Sequence, residues 1–119
     1  MVRSPTAVVL CGIARLFAAP VLMRAADDSL KKARDRMVQE IEGDVRRTSE
    51  RIGKSALDPL VMEVMARVPR HEFVPQSHRS QAYENRPLPI GYGQTISQPY
   101  IVALMTDLLK VGPESRVLE

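Results

Sequence analysis

The chain is short of the residues that define several classes of protein. It has one cysteine, Cys11, no tryptophan and only 4% aromatic residues among 119 positions. One cysteine excludes an internal disulfide, and no cluster of Cys and His has the spacing of a zinc site, so we expect no bound metal. The core must therefore be built from aliphatic side chains and methionines.

The charges also argue against a class of partner. The chain carries 17 basic and 14 acidic residues, a formal net charge of +3, and the two signs are interspersed. A nucleic-acid-binding protein usually shows a clustered basic face or aromatic residues interleaved with basic ones. Although the pI is near 9.4, the sequence favours no nucleic-acid partner.

An apolar run near the N-terminus, residues 8–23, follows a basic residue and precedes small residues. This is the outline of a secretory signal, but Arg15 interrupts the run. It is also too short for a stable membrane span. We therefore set residues 1–27 aside as an export signal, a non-folding leader or the result of a misassigned start, and place the folded part in residues 28–119.

Hydrophobic periodicity predicts two helices in the first part of the remaining chain. The first runs from Ser29 to a glycine end near Gly53. For the second, Asp58 suits the N-cap and Pro59 the first helical position, and Pro69 stops the helix. The second helix carries an apolar stripe that is expected to pack in the core: Leu60, Val61, Val64, Met65 and Val68.

A polar, irregular segment follows, over residues 70–87. Phe73 and Tyr83 are its only large anchors, and we expect both to hold it against the core. His71 and His78 lie among polar residues and are interpreted as solvent-exposed loop histidines.

The most informative segment runs from Leu88 to Pro99. Two short apolar pieces flank Gly91 and Gly93, and Ser97 precedes a third predicted helix. Glycine allows backbone angles and close approach that a side chain forbids. A helix that opens on a serine offers a hydroxyl, free N–H groups and the positive end of its dipole to an anion. Two interpretations of Ser97 stand side by side: it holds a carboxylate or phosphate, or it is only the helix cap.

The third helix is expected to end in the order Lys110, Gly112, Pro113. After it, residues 116–119 look like the start of a strand, which needs neighbouring strands. We therefore expect the front part of an α/β protein whose sheet lies mostly beyond Glu119. The predicted apolar face of the third helix consists of Ile101, Leu104, Met105 and Leu108.

Five short motifs occur in order along the chain. They are VPRHEFVP at 68–75, AY at 82–83, PLPIG at 87–91, QTISQPY at 94–100 and RVLE at 116–119. Together they resemble the bacterial protein-L-isoaspartate O-methyltransferase family. The resemblance runs from about Arg36 to the end of the chain, and the ordered set is far more specific than any single motif.

The resemblance implies a doubly wound α/β methyltransferase fold, of which residues 28–119 are the helical, substrate-side part and the first strand, truncated before most of the sheet. It implies methyl transfer from S-adenosylmethionine to the α-carboxylate of L-isoaspartyl residues, which repairs damaged proteins through a succinimide. The implied partners are isoaspartyl peptides and proteins. A monomeric, cytoplasmic enzyme is implied, with an exported protein as the alternative if residues 1–26 are a signal.

The resemblance also implies the site. The family's active-site serine falls on Ser97, and its substrate-binding segment falls on Gln94, Thr95, Ile96 and Ser97. Cofactor contacts fall on Thr95, Ile96, Ser97 and Glu119. Because a carboxylate is already ionised at neutral pH, the reaction needs position rather than a strong base. We therefore assign Ser97 the positioning of a carboxylate and not the role of nucleophile.

Two departures from the family pattern matter. In the family, the strand matching residues 116–119 leads into the glycine-rich turn that receives the cofactor, so we expect the 119 residues alone neither to bind the cofactor appreciably nor to turn over. Asn85 stands where an Asp is common. The alternative function is a non-catalytic helical module that binds a peptide or partner, and a continuation with Gly-x-Gly-x-Gly would favour the enzyme.

Overall fold

The computed structural model describes the backbone of residues 14–118 and the side chains from Asp27 onward. The chain divides into two units, residues 1–31 and 32–119, and the site lies in the second. Residues 1–13 of the predicted leader, and Glu119, lie outside the described residues. None of the helices in the described part combines the length and the hydropathy needed to cross a bilayer.

Helix α1, Ala14–Ile52, is the longest element and begins well before the predicted start at Ser29. Its end is as predicted: Gly53 adopts a left-handed φ of 69° and donates its N–H to the Ser49 carbonyl at 2.9 Å. Its inner face is formed by side chains at helical spacing that are fully buried: Met37, Ile41 and Val45.

Helix α2, Pro59–Arg67, confirms the predicted boundaries. The Asp58 carboxylate caps it by accepting from the Leu60 N–H at 2.8 Å, and Val68 is extended before Pro69. The predicted core packing of its apolar stripe is wrong for three residues: one side of α2 packs on helix α3 (Pro99–Leu109), while Val64 and Val68 border an open groove and Leu60 is exposed. These residues are Leu60, Val64 and Val68, which remain 63%, 46% and 42% exposed.

The polar segment folds as two 3₁₀ helices, Arg70–Phe73 and Gln76–Gln81. Tyr83 is buried, as predicted, whereas Phe73 is 60% exposed, since Val74 rather than Phe73 enters the core. The prediction of solvent-exposed histidines is wrong for both; His71 is half-buried, with its Nδ1 2.7 Å from the Tyr83 hydroxyl. His78 is also half-buried and lies 3.0 Å from the Ser77 hydroxyl.

The two short apolar pieces form an antiparallel hairpin. Strand β1, Leu88–Gly91, pairs with β2, Gln94–Ile96, so that Leu88 lies opposite Ile96. Its turn is built from three successive residues with positive φ, Gly91, Tyr92 and Gly93. The glycines predicted to form an anion-holding loop therefore serve the hairpin turn, where this backbone conformation favours residues without a Cβ.

Helix α3, Pro99–Leu109, ends at Lys110, which itself adopts the left-handed cap with a φ of 53°. The predicted apolar face is wrong, because Ile101, Met105 and Leu108 are 38%, 61% and 57% exposed. Polar contacts decide which face turns inward: the Tyr100 hydroxyl lies 2.7 Å from Thr48 Oγ1, and Asp107 accepts from the Asp58 N–H at 2.6 Å. The buried residues of α3 are Pro99, Tyr100, Ala103 and Asp107.

Residues 116–118 form no strand in the described part of the chain. The expected first strand of a larger sheet is therefore not present there, since a strand is defined by hydrogen bonds to a neighbour and these residues have none. What the structure describes is a mixed fold of helices and one two-stranded hairpin.

Candidate functional site

A groove of about 570 Å³ opens between α2, the hairpin and α3. This volume lies in the range of small-molecule and substrate sites, about 300–1,000 Å³. The floor includes Met37 of α1, and the remaining walls are mostly aliphatic. The residues on which the site argument rests are Val64, Arg70, Thr95, Ile96, Ser97 and Val102.

The structure brings together three of the residues that the sequence assigns to the site. Thr95, Ile96 and Ser97 line the same groove. Gln94 lies in β2 but is exposed and is not among the residues that line the groove. Glu119, assigned to the cofactor, lies outside the described residues.

Ser97 is exposed, and its hydroxyl makes no hydrogen bond to any residue in the described part. The interpretation of Ser97 as the helix cap is wrong, because the N-cap of α3 is Gln98, with a ψ of 132°. The reason is Pro99, whose ring fixes a helical φ at the first position and makes the residue directly before it the cap. The Ser97 hydroxyl is therefore free to bind a ligand in the groove.

The N-terminus of α3 is capped by a distant side chain. Asn85 Oδ1 accepts from the Tyr100 N–H at 3.0 Å, and Asn85 Nδ2 donates to Asp44 Oδ2 at 2.6 Å. The predicted use of the free N–H groups for an anion is wrong for Tyr100, since this donor is already taken. The sequence marks Asn85 only as a departure from the family pattern, because a cap supplied from another segment leaves no local signal.

Arg70 is the site residue that sequence reasoning missed. It is only 7% exposed; Nε donates to the Ala82 carbonyl at 2.8 Å and Nη2 donates to the Ser97 carbonyl at 2.7 Å. Burial lowers the pKa of the guanidinium from its usual value. No carboxylate of the described residues forms an ion pair with it. Its one signal was its place in the motif at 68–75.

Tyr83 supports the segment that receives Arg70. Its hydroxyl meets His71, and the Arg34 guanidinium lies 5.7 Å from the centre of its ring. Burial raises the pKa of the Tyr83 phenol, so the phenol stays neutral at physiological pH. These contacts hold Tyr83 next to Ala82, whose carbonyl accepts from Arg70.

The described residues include no group of three or more His, Cys, Asp or Glu side chains placed to hold a metal ion. The groove accordingly offers hydroxyls, one guanidinium and apolar walls. Such a surface suits a substrate with an anionic group attached to an apolar or peptide-like body.

Comparisons with known proteins agree on one family. The family model described as protein-L-isoaspartate(D-aspartate) O-methyltransferase matches residues 48–119, a shorter stretch than the resemblance from about Arg36. Protein-L-isoaspartate O-methyltransferase 2 of Syntrophobacter fumaroxidans is 68% identical over 119 residues, which is 100% of this chain and 48% of that protein.

Two further relatives show the same partial coverage. Protein-L-isoaspartate O-methyltransferase 1 of Cupriavidus necator is 58% identical over 102 residues, 86% of this chain and 39% of that protein. Protein-L-isoaspartate O-methyltransferase 2 of a Polaromonas species is 64% identical over 83 residues, 70% of this chain and 39% of that protein. The chain thus spans half or less of the length of these curated relatives.

Proposed function

The chain belongs to the protein-L-isoaspartate(D-aspartate) O-methyltransferase family, and from this premise we propose that it is the substrate-side part of an enzyme that methylates the α-carboxylate of L-isoaspartyl residues in damaged proteins. The observation that carries the proposal is the groove of about 570 Å³ with the unbonded Ser97 hydroxyl on its wall. The neighbouring backbone nitrogen can attack the methyl ester and release methanol, a far better leaving group than a carboxylate offers, so the succinimide re-forms and its hydrolysis gives normal aspartyl in part.

In this proposal, the residues of the chain position the substrate rather than activate it. The substrate carboxylate, with a reference pKa of about 4, is ionised at neutral pH and is itself the nucleophile. The Ser97 hydroxyl donates to one carboxylate oxygen and leaves the other to form the new oxygen–carbon bond. The aliphatic walls of the groove, Val64 and Val102 among them, replace part of the water around the carboxylate and so strengthen that hydrogen bond.

S-adenosylmethionine supplies an electrophilic methyl group when it is bound. Thr95, Ile96 and Ser97 line the groove. We assign contacts with this co-substrate to them, because the same wall of the groove can then contact both the methyl donor and the carboxylate that accepts the methyl group. Gln94 and Glu119 are kept in the proposed site as substrate and cofactor contacts of the complete protein. The principal cofactor site of the complete protein would be a glycine-rich turn. In the family, this turn follows the strand that matches residues 116–119 of this chain.

We propose the same architecture for the complete protein as for the family: a doubly wound α/β fold in which residues 28–119 form the substrate-side part. Residues 1–27 precede it as a leader. The partners are isoaspartyl peptides and proteins, and the enzyme is monomeric and cytoplasmic. An exported enzyme is the alternative location, if residues 1–26 direct secretion.

The test is methyl transfer by the complete protein encoded with this chain. Two peptides are compared that differ only in one residue, L-isoaspartyl or L-aspartyl. We expect base-labile methyl ester to form on the isoaspartyl peptide alone and only with S-adenosylmethionine. Equal esterification of both peptides would contradict the proposed substrate. Binding of the isoaspartyl peptide without any ester would favour the non-catalytic peptide-binding module instead.

A further inference from the structure

The Arg70 guanidinium uses only two of its three nitrogens within the described part of the chain. Nε and Nη2 donate to the carbonyls of Ala82 and Ser97. No described residue accepts a hydrogen bond from the third, Nη1. The two bonds fix the plane of the guanidinium and leave the remaining donors in a defined place.

The unbonded nitrogen must reach solvent. Arg70 as a residue is buried, at 7% exposure, yet among the described residues every fully buried side-chain nitrogen and oxygen has a partner. Nη1 has none, so it is not fully buried. The opening that Arg70 lines is the groove beside Ser97, and we infer that Nη1 is accessible there.

The charge of Arg70 is uncompensated in this groove. Among the described residues, Arg70 is the only charged side chain that lines it, and no Asp or Glu does. Burying a cation is costly unless an anion or several hydrogen bonds offset the cost. The two carbonyl contacts offset part of it, and an anionic ligand in the groove would offset more. Guanidinium is also the side chain best suited to a carboxylate.

We propose that Arg70 binds the carboxylate of the L-isoaspartyl residue through Nη1, on the side opposite its contact with the Ser97 carbonyl. The inference rests on the proposed function and adds a second point of attachment beside the Ser97 hydroxyl. Because Nη2 holds the backbone of Ser97 at 2.7 Å, the same guanidinium fixes the hydroxyl-bearing residue and attracts the anion. Arg70 thereby selects a negatively charged acceptor over a neutral one.

The test is a double-mutant cycle in which the charge is removed from Arg70, from the peptide carboxylate, or from both. The complete protein and its Arg70→Gln variant are titrated with an L-isoaspartyl peptide and with the isoasparaginyl peptide, in which a carboxamide replaces the carboxylate. We expect the wild-type protein to bind the carboxylate peptide about tenfold more tightly or better, as a charge-assisted hydrogen bond in a partly dry site would give. Arg70→Gln should bind the two peptides equally, within about twofold.

Two controls separate binding from folding. Arg79→Gln removes the same charge from an exposed position outside the groove and should keep the wild-type preference. Arg70→Met is a second neutral variant whose side chain suits apolar walls, and thermal unfolding with S-adenosylhomocysteine binding reports whether each variant is folded. Ser97→Ala retains the cation, so it should keep a preference of about threefold or more.

The outcomes are decisive even if no Arg70 variant folds. A wild-type protein without preference for the carboxylate, or a preference that Ser97→Ala abolishes by itself, would overturn the inference. If the protein methylates the isoaspartyl peptide but the Arg70 variants keep the wild-type preference for the carboxylate peptide, this inference is overturned and the proposed function stands. An Arg70-dependent preference without any methyl transfer would instead overturn the proposed function and leave Arg70 as a carboxylate site.

Discussion

Asn85 Oδ1 accepts a hydrogen bond from the backbone N–H of Tyr100 at a distance of 3.0 Å. The other end of the same amide donates to Asp44 of α1 at 2.6 Å. One side chain from the segment before the hairpin therefore caps α3 and ties it to α1. Since Ser97 lies just before α3, this amide helps to set where the candidate site lies relative to the core.

The amide of Asn85 should be required for its dual role as acceptor and donor. Asn85→Asp keeps the acceptor but places a second carboxylate beside Asp44, so we expect a loss of about 1–2 kcal/mol in unfolding free energy at pH 7. The double variant Asn85→Asp with Asp44→Asn reverses the polarity of the pair and should recover most of the loss. Urea unfolding measures both, and a double variant no more stable than the single one would contradict the direct pairing.

Asp107 should make the stability of the protein depend on pH. Its carboxylate is almost completely buried; the ion pair with Lys54 lowers its pKa most, and the hydrogen bond from the Asp58 N–H lowers it further. A lowered pKa in the folded state means that the stabilisation is present above the unfolded pKa of about 4 and is lost as the pH falls through the folded value.

We therefore expect Asp107→Asn to lower the urea midpoint at pH 7 and to approach the wild type at acidic pH. Midpoints across a pH series check this, with Glu114→Gln as the control because Glu114 is exposed. A difference between Asp107→Asn and the wild type that stayed constant below pH values of about 4 would show that charge at Asp107 is not the cause.

Ser97→Ala should separate catalysis from folding. Its hydroxyl has no hydrogen-bond partner in the described part of the chain and the residue is exposed, so stability should change by less than about 0.5 kcal/mol. Turnover of the isoaspartyl peptide by the complete protein should fall about 10²-fold, because a mispositioned acceptor loses the advantage of proximity. Ser80→Ala, at an exposed position outside the groove, is the control, and unchanged turnover in Ser97→Ala would remove Ser97 from the site.

Gly91 and Gly112 offer a matched pair for backbone strain. A Cβ at either position would meet nothing within 4 Å, but Gly91 has a φ of 104°. We expect Gly91→Ala to cost about 1–2 kcal/mol through backbone strain alone, while Gly112→Ala stays within about 0.5 kcal/mol of the wild type. Thermal unfolding compares them, and equal effects would mean that the hairpin turn relaxes.

Local signals predicted most element boundaries and little of the packing. Asp58, Pro59 and Pro69 bound α2 as expected, because capping and proline sterics act within a few residues. The inner face of α3 was wrong, since its rotation follows from contacts of Tyr100 and Asp107 with distant residues. The capping of α3 by Asn85 and the hydrogen bond from Arg70 to the Ser97 carbonyl could not be predicted for the same reason. The bonded partners are 15 and 27 residues apart in the chain.

The amino-acid sequence by itself determined the family, both ends of α2, the glycine end of α1 and the segment 95–97 that lines the groove, because ordered motifs, caps and breakers are properties of neighbouring residues. Only the tertiary structure decided that Ser97 is a free hydroxyl rather than a helix cap, and that a buried guanidinium lies beside it. The physical reason is that burial and long-range hydrogen bonds arise when separate segments meet, and no local pattern encodes which partner each polar group will find.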